Sequence, residues 1–330
     1  MKLHHTTAAI IFFISLLFSC NKVDDIPGED ISGKSPILVS ADNVSPFTRA
    51  YLPQGMCDNF KVYAASEKDG NRTEVMNGYE VRFFYEDWTY VNDSQPLMYW
   101  SNDADRYLFT AGAPISAVTE ISDNSMTLHL ENNTTGSAMA AEPLKIENSS
   151  ADYGKTVNLR FGYAHCMVSV AFVRNDTKDI AVTDIKLTPQ AAITSKADLV
   201  YSFNWSDTPA TSTTEVSSKE KSTASLTFAD VTIPSNSENA VVSGTRYYCV
   251  PDADNQKQWT VSLKCNGEEK TGTFENSYTW QSGKNYIYVF SLGEKTPKLI
   301  EVISQDMKDM YFDCNDIIPG GNFSNTEMTE

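Results

Sequence analysis

The sequence predicts an all-β protein built as two tandem β-sandwich domains. Three observations carry that expectation. Short runs alternate apolar and polar residues with period two, turn-forming residues punctuate them, and no stretch keeps helical spacing beyond one or two turns. The alternating runs include 60–64, 79–83, 126–130, 168–173, 180–187, 226–228, 259–263 and 286–290, all rich in β-branched and aromatic residues. Between them lie Asp69-Gly70-Asn71, Asn77-Gly78, Asn266-Gly267 and Ser282-Gly283-Lys284, residue types that accept the positive φ of tight turns. Runs of this length read as strands with one face buried and one face wet, the pattern of a sandwich.

The chain has 330 residues, enough for two domains of ordinary size. The polar stretch Glu147 to Lys155 precedes a fresh apolar strand and is the best boundary. The expected division is 1–19 as an export signal, 20–49 as an acidic leader with a first strand, 50–152 as one sandwich, and 153–330 as a second with a C-terminal extension. Residues 206–225 are rich in Ser, Thr and charge and are expected to loop out of the second sandwich. The last residues, 313–330, carry glycines, asparagines and acids and are expected to fray.

The N-terminus addresses the protein to the outside of the cytoplasm. Lys2 precedes an apolar run, Ala8 to Phe18, too short to span a bilayer and suited to a signal peptide. The run ends Leu17-Phe18-Ser19-Cys20. It resembles a bacterial lipobox, which implies acylation of Cys20 and cleavage just before it; two or three acyl chains hold a protein firmly on a membrane. An ordinary secretory signal with an incidental cysteine gives the same compartment. Asp24, Asp25, Glu29 and Asp30 follow as an acidic tether. Between Cys20 and Arg49, the first arginine of the chain, lies Pro36-Ile37-Leu38-Val39-Ser40-Ala41, a strand whose Ile37, Val39 and Ala41 share one face.

Charge and motifs exclude several functions. A net charge of −17 disfavours nucleic acid, which selects basic surfaces. Cys57, Cys166, Cys249, Cys265 and Cys314 lack zinc spacing, and their odd number leaves at least one thiol unpaired in a monomer. Cys166, Cys249 and Cys265 sit in apolar strand contexts and are expected to be buried small hydrophobes. His129 and His165 each fall within a strand pattern, and His165 is expected to be structural. No H-E-x-x-H, Walker, dinucleotide or G-x-S-x-G motif occurs. Asp252-Ala253-Asp254-Asn255 lacks the rest of a calcium loop and reads as a turn. No catalytic residue, metal site or cofactor is expected.

The ordered set Phe47-Thr48-Arg49-Ala50, Asp58 to Ala64, Trp88-Thr89-Tyr90, Met98-Tyr99-Trp100, Tyr107 to Pro114, Phe161 to Val170 and Trp280 to Tyr288 resembles the fimbrillin family. Those proteins are subunits of type V pili and related surface lipoproteins of Bacteroidales. The resemblance covers most of the mature chain. It implies transthyretin-like (Ig-like) sandwiches, a lipid anchor in the outer membrane, and assembly with other pilus subunits by strand exchange. A trypsin-like cut between Arg49 and Ala50 would remove lipid and first strand together. The removable strand is Ile37, Leu38, Val39 and Ala41. The bared edge then invites β-augmentation. Leu299, Ile300, Val302 and Ile303 form the candidate donor strand, with a final strand of its own domain as the other reading. Surface ligands of host or bacterium are further candidate partners. A rival function uses Trp88, Tyr90, Tyr99 and Trp100 as an aromatic platform for glycans in a lipoprotein that does not polymerise; core packing is the plainer role for large aromatics.

Overall fold

Alternation sets the inside and outside of most strands. In Ser125–Glu131 it buries Met126, Leu128 and Leu130; in Gln258–Cys265 it buries Trp259, Val261, Leu263 and Cys265. The structure is a computed structural model that describes residues 35–41, 59–84, 87–90, 95–174, 176–237, 239–293 and 296–307. The protein is all-β. Among the described residues the only helical elements are two single 3-10 turns, Ile115–Ala117 and Ala253–Asn255, and no helix is long and apolar enough to cross a membrane.

A first sheet runs in the order Phe161–Tyr163, Met139–Ala141, Arg106–Ala113, Asn59–Lys68, Asn71–Phe84, Asp87–Tyr90, with Leu144–Glu147 also paired to Arg106–Ala113. Opposite it, Val39–Ala41 pairs in parallel with Val157–Leu159. A second pair of sheets is built later in the chain. One is ordered Val241–Val242, Cys166–Val173, Lys284–Leu292, Pro297–Asp306, with Tyr247–Cys249 also on Cys166–Val173; the other is ordered Leu226–Thr227, Ile180–Pro189, Gln258–Cys265, Glu268–Glu275, with Val231–Ile233 also on Ile180–Pro189. A four-stranded sheet, Thr211–Ser222, Ile193–Asn204, Ser125–Glu131, Val118–Ile121, takes strands from both halves of the chain.

Two large cores follow from these layers. The first is built from residues between Ile37 and Phe161, centred on Phe60, Tyr107, Phe109 and Trp100. The second runs from Cys166 to Leu292, centred on Phe172, Trp259, Tyr288 and Phe290. A smaller third core joins them, with Met126 and Leu128 from the first half packed with Ala197, Leu199 and Val250 from the second; Leu128 faces Leu199 across the shared sheet.

Three local features depart from simple alternation. Ile180–Pro189 buries Ile180 and Val182, then Ile185 and Leu187, because its register shifts between Thr183 and Lys186 and Asp184 takes φ 53°. The extra residue of this β-bulge resets the phase so that both halves face the core. Cys166–Val173 was expected to be half-buried but is covered on both faces over nearly its whole length. It pairs in parallel with Lys284–Leu292, and parallel strands covered on both sides read as continuous apolar runs. The expected loop at 206–225 instead contains the twelve-residue strand Thr211–Ser222, antiparallel to Ile193–Asn204. It is exposed along most of its length, with Val216 alone packing on an apolar cluster, so no apolar pattern marks it, and its threonines supply the strand propensity.

Candidate functional site

The leader segment 35–41 lies in a groove of the first core and is held from both sides. On one side Ile37 N–H donates to the Met98 carbonyl at 2.8 Å and Trp100 N–H donates to the Ser35 carbonyl at 3.0 Å, with Pro36 bridged antiparallel to Tyr99. On the other, Val39, Ser40 and Ala41 run parallel to Val157, Asn158 and Leu159, and Val157 N–H donates to the Leu38 carbonyl at 2.8 Å. The Tyr90 hydroxyl donates to the Ile37 carbonyl at 2.7 Å, and Ser40 Oγ bonds Asn158 Oδ1.

Side-chain parity matches the groove. Ile37 is fully buried and Val39 is 4% exposed, both in the cluster with Trp100, Val157 and Leu159. Ala41 packs half-buried against the same cluster. Leu38 points away and is 45% exposed. Each inward aliphatic contributes about 1.5–3 kcal/mol of burial. Without this segment, the floor would lose two large side chains and the flanking strands would lose their main-chain partners, leaving a ready edge for another strand. Cys20, Arg49 and Ala50 lie outside the described residues.

Leu299, Ile300, Val302 and Ile303 fall in Pro297–Asp306, which pairs antiparallel with Lys284–Leu292 at the edge of its own sheet. Leu299 and Val302 pack on the second core, Ile303 packs on the opposite face of the sheet, and Ile300 is 45% exposed where the register shifts. Gly272 on the facing sheet lets this strand close down: a Cβ there would sit 2.3 Å from the Pro297 carbonyl oxygen.

Of the four aromatics, Trp100 is not free to act as a flat platform. Trp100 is 4% exposed, with its ring centroid 4.8 Å from Tyr107, 4.7 Å from Tyr153 and 5.9 Å from Phe109. A sugar cannot stack on an indole whose faces are taken. Tyr90 meets Tyr79 edge-on at 6.0 Å and caps the leader with its hydroxyl; burial raises its pKa. Tyr99 serves through its backbone bridge to Pro36. The Trp88 side chain lies outside the described residues.

The titratable groups in the interior are structural. His165 is buried at the junction of the two halves. Its Nδ1 accepts from Ala138 N–H at 3.0 Å, and its Nε2 lies 3.2 Å from the Glu131 carbonyl, so the neutral ring with the proton on Nε2 satisfies both. Burial pushes its pKa down to about 4, against the weaker upward pull of the Glu131 carbonyl. Cys166, Cys249 and Cys265 are buried free thiols. Burial raises the pKa of Cys166 and Cys249, and such thiols are inert. Among the described residues no cluster of His, Cys, Asp or Glu could hold a metal.

Sequence reasoning missed the groove itself. Met98, Trp100, Val157 and Leu159 receive the leader, but nothing in a sequence reveals a parallel pairing between Val39 and Val157. The continuity of Val157-Asn158-Leu159 as a short strand was the available signal.

An all-β chain of packed sheets with a strand seated in an apolar groove defines a protein of layered β-sandwich type. The model of the family described as fimbrillin-like matches residues 48–308, and the chain belongs to that family. It is therefore a fimbrial subunit or adhesion-related protein of the cell surface, and not an enzyme. Its fold is similar to that of a candidate cell adhesion protein from Bacteroides uniformis, with a TM-score of 0.51 at 16% identity, over 84% of this chain and 100% of that one. More distant likenesses include the tip fimbrial protein Mfa3 from Porphyromonas gingivalis, with a C-terminal truncation (TM-score 0.39, 11% identity, 77% of this chain and 95% of that one). The fimbrial anchor protein Mfa2 from the same organism gives a TM-score of 0.33 at 12% identity, over 83% of this chain and 97% of that one. No curated protein sequence matches the chain.

Proposed function

We propose that this chain is a pilus subunit exported as a lipoprotein through Cys20 and assembled by strand exchange. In this reading its body is two tandem transthyretin-like sandwiches, 50–152 and 153–330. The leader strand of Ile37, Leu38, Val39 and Ala41 is a plug that keeps the subunit monomeric. Cleavage between Arg49 and Ala50 severs it from the body together with the lipid. A strand from a neighbouring subunit then enters beside Met98–Trp100 and Val157–Leu159. Leu299, Ile300, Val302 and Ile303 are the candidate donor; to act, that strand must leave Lys284–Leu292.

The observation that carries the reading is the seating of Ile37 and Val39 in the first core, with main-chain bonds on both sides. A segment joined to the body only through 42–58 thus supplies part of the core, and its loss changes a closed edge into an open one. The physical mode is β-augmentation, in which the main chain supplies affinity and alternate side chains supply register.

The test is treatment of the full-length protein with an arginine-specific protease, followed by sizing of the products. Oligomers form from the treated protein and not from Arg49→Ala treated in the same way. Equal oligomerisation of Arg49→Ala, or a treated wild type that stays monomeric, overturns the proposal.

A further inference from the structure

Two segments far apart in the chain share one pattern. Ile37-Leu38-Val39-Ser40-Ala41 reads isoleucine, any, valine, any, small. Ile300-Glu301-Val302-Ile303-Ser304, within Pro297–Asp306, reads the same with serine as the small residue. Ile300 is poorly used where it stands, at a register shift and 45% exposed. Leu299 and Val302 are only half-buried there.

The leader groove sets strict terms for any strand that enters it. Position 37 is fully buried, position 39 is 4% exposed, position 41 is half-buried and position 38 is open. The residue at 37 must carry an N–H, which donates to the Met98 carbonyl. The bonds to Met98, Trp100 and Val157 and the parallel pairing with Val157–Leu159 fix the direction of the strand. Sliding Pro297–Asp306 through the groove in that direction leaves one acceptable frame. Lys298 or Glu301 at position 37 sets a charge at the deepest point. Leu299 at 37 puts Glu301 at 39. Val302 at 37 puts Ser304 at 39 and Asp306 at 41. Pro297 at 37 lacks the N–H and brings Glu301 to 41. An unpaired charge in such a site is strongly unfavourable. Ile300 at 37, Val302 at 39 and Ser304 at 41 keep every charge out of the inward positions, and Glu301 takes the open place of Leu38.

We propose that the groove of one copy of this chain accepts residues 300–304 of a second copy, with Ile300 in place of Ile37, Val302 in place of Val39 and Ser304 in place of Ala41. This pairing rests on the strand-exchange reading above and makes the chain complementary to itself. The main chain repeats the leader's bonds: Ile300 N–H donates to the Met98 carbonyl, and the Lys298 and Glu301 carbonyls accept from Trp100 N–H and Val157 N–H. The Tyr90 hydroxyl donates to the Ile300 carbonyl. One contact has no counterpart, since Ile303 cannot replace the bond of Ser40 to Asn158.

The experiment adds a peptide of residues 297–306 while the full-length protein is treated with an arginine-specific protease. Neither this peptide nor a control peptide of leader residues 35–41 contains arginine. Oligomer yield is read by sizing. The 297–306 peptide caps the bared grooves and lowers the yield at least about ten-fold. Ile300→Lys or Val302→Lys in the peptide weakens capping at least about ten-fold, because each sets an ammonium in the core. Glu301→Lys and Ile303→Lys leave it within about three-fold. The subunit is the same throughout, so its folding does not enter the comparison. The opposite parity, with Ile303→Lys harmful and Ile300→Lys harmless, overturns the frame. Capping by the leader peptide and not by 297–306 overturns the self-pairing and leaves the groove reading standing. Capping by neither peptide overturns both.

Discussion

Replacing Ile37 by Ala tests the leader strand at its most buried point. Ile37 is fully buried among Trp100, Val157 and Leu159, while its neighbour Leu38 is 45% exposed. Truncating a fully buried isoleucine costs the transfer energy of the lost methyl and methylene groups plus the cavity left behind, about 3 kcal/mol. Leu38→Ala removes as much side chain one residue along, from a largely wet position, and costs under about 1 kcal/mol. The predicted quantity is therefore a difference of about 2 kcal/mol between adjacent residues of similar chemistry. Urea unfolding followed by tryptophan emission measures it, since Trp100 lies in the affected core. A shared slope with separated midpoints is the expected result. Equal destabilisation by the two variants, or none by either, would show that the leader does not plug the groove in solution.

Four further outcomes follow from the same structure. The His165 pKa falls from 6.5 unfolded to about 4 folded, so the unfolded chain binds the extra proton; stability is whole above pH 6.5 and declines by about 3 kcal/mol towards pH 4. A melting series over that range should show the decline, and His165→Gln should flatten it. Gly272→Ala places a Cβ 2.3 Å from the Pro297 carbonyl oxygen; the strand Pro297–Asp306 must shift, at about 1–3 kcal/mol, with faster hydrogen exchange there. Trp100→Ala should lower stability by about 3–5 kcal/mol without selectively abolishing binding on a glycan array. Asp184→Val, at φ 53°, should cost about 1–2 kcal/mol in thermal melts while Asp184→Gly is nearly neutral.

Much of the architecture was legible because half-buried strands write their burial into the sequence. Met126, Leu128 and Leu130 alternate in the chain and alternate in the structure. Legibility failed where pattern and geometry part. The bulge at Asp184 shifts the phase of a strand in mid-course, and a residue in positive φ has no firm sequence signature when it is not glycine. Thr211–Ser222 buries neither face, so period two has nothing to record. Cys166–Val173 buries both, so the alternation of 168–173 separates large from small side chains rather than dry from wet ones.

The candidate site was legible in part for a related reason. The parity of Ile37, Val39 and Ala41 is local information, available from the leader alone. Its receptor is distant information: Val157–Leu159 pairs with it in parallel from far along the chain, and Met98 and Trp100 approach from a segment that looked like an aromatic platform. Trp100 reads as a sugar-stacking residue only until Tyr107 and Tyr153 are seen against its ring. Trp100 and Tyr90 help to form the wall of the leader groove.

The most direct measurement is the N-terminal residue of this protein taken from assembled surface fibres, read by mass spectrometry. The account predicts a chain beginning at Ala50, with the leader and its acylated Cys20 gone. Fibres whose subunits all begin at acylated Cys20, with residues 37–41 still attached, would contradict it.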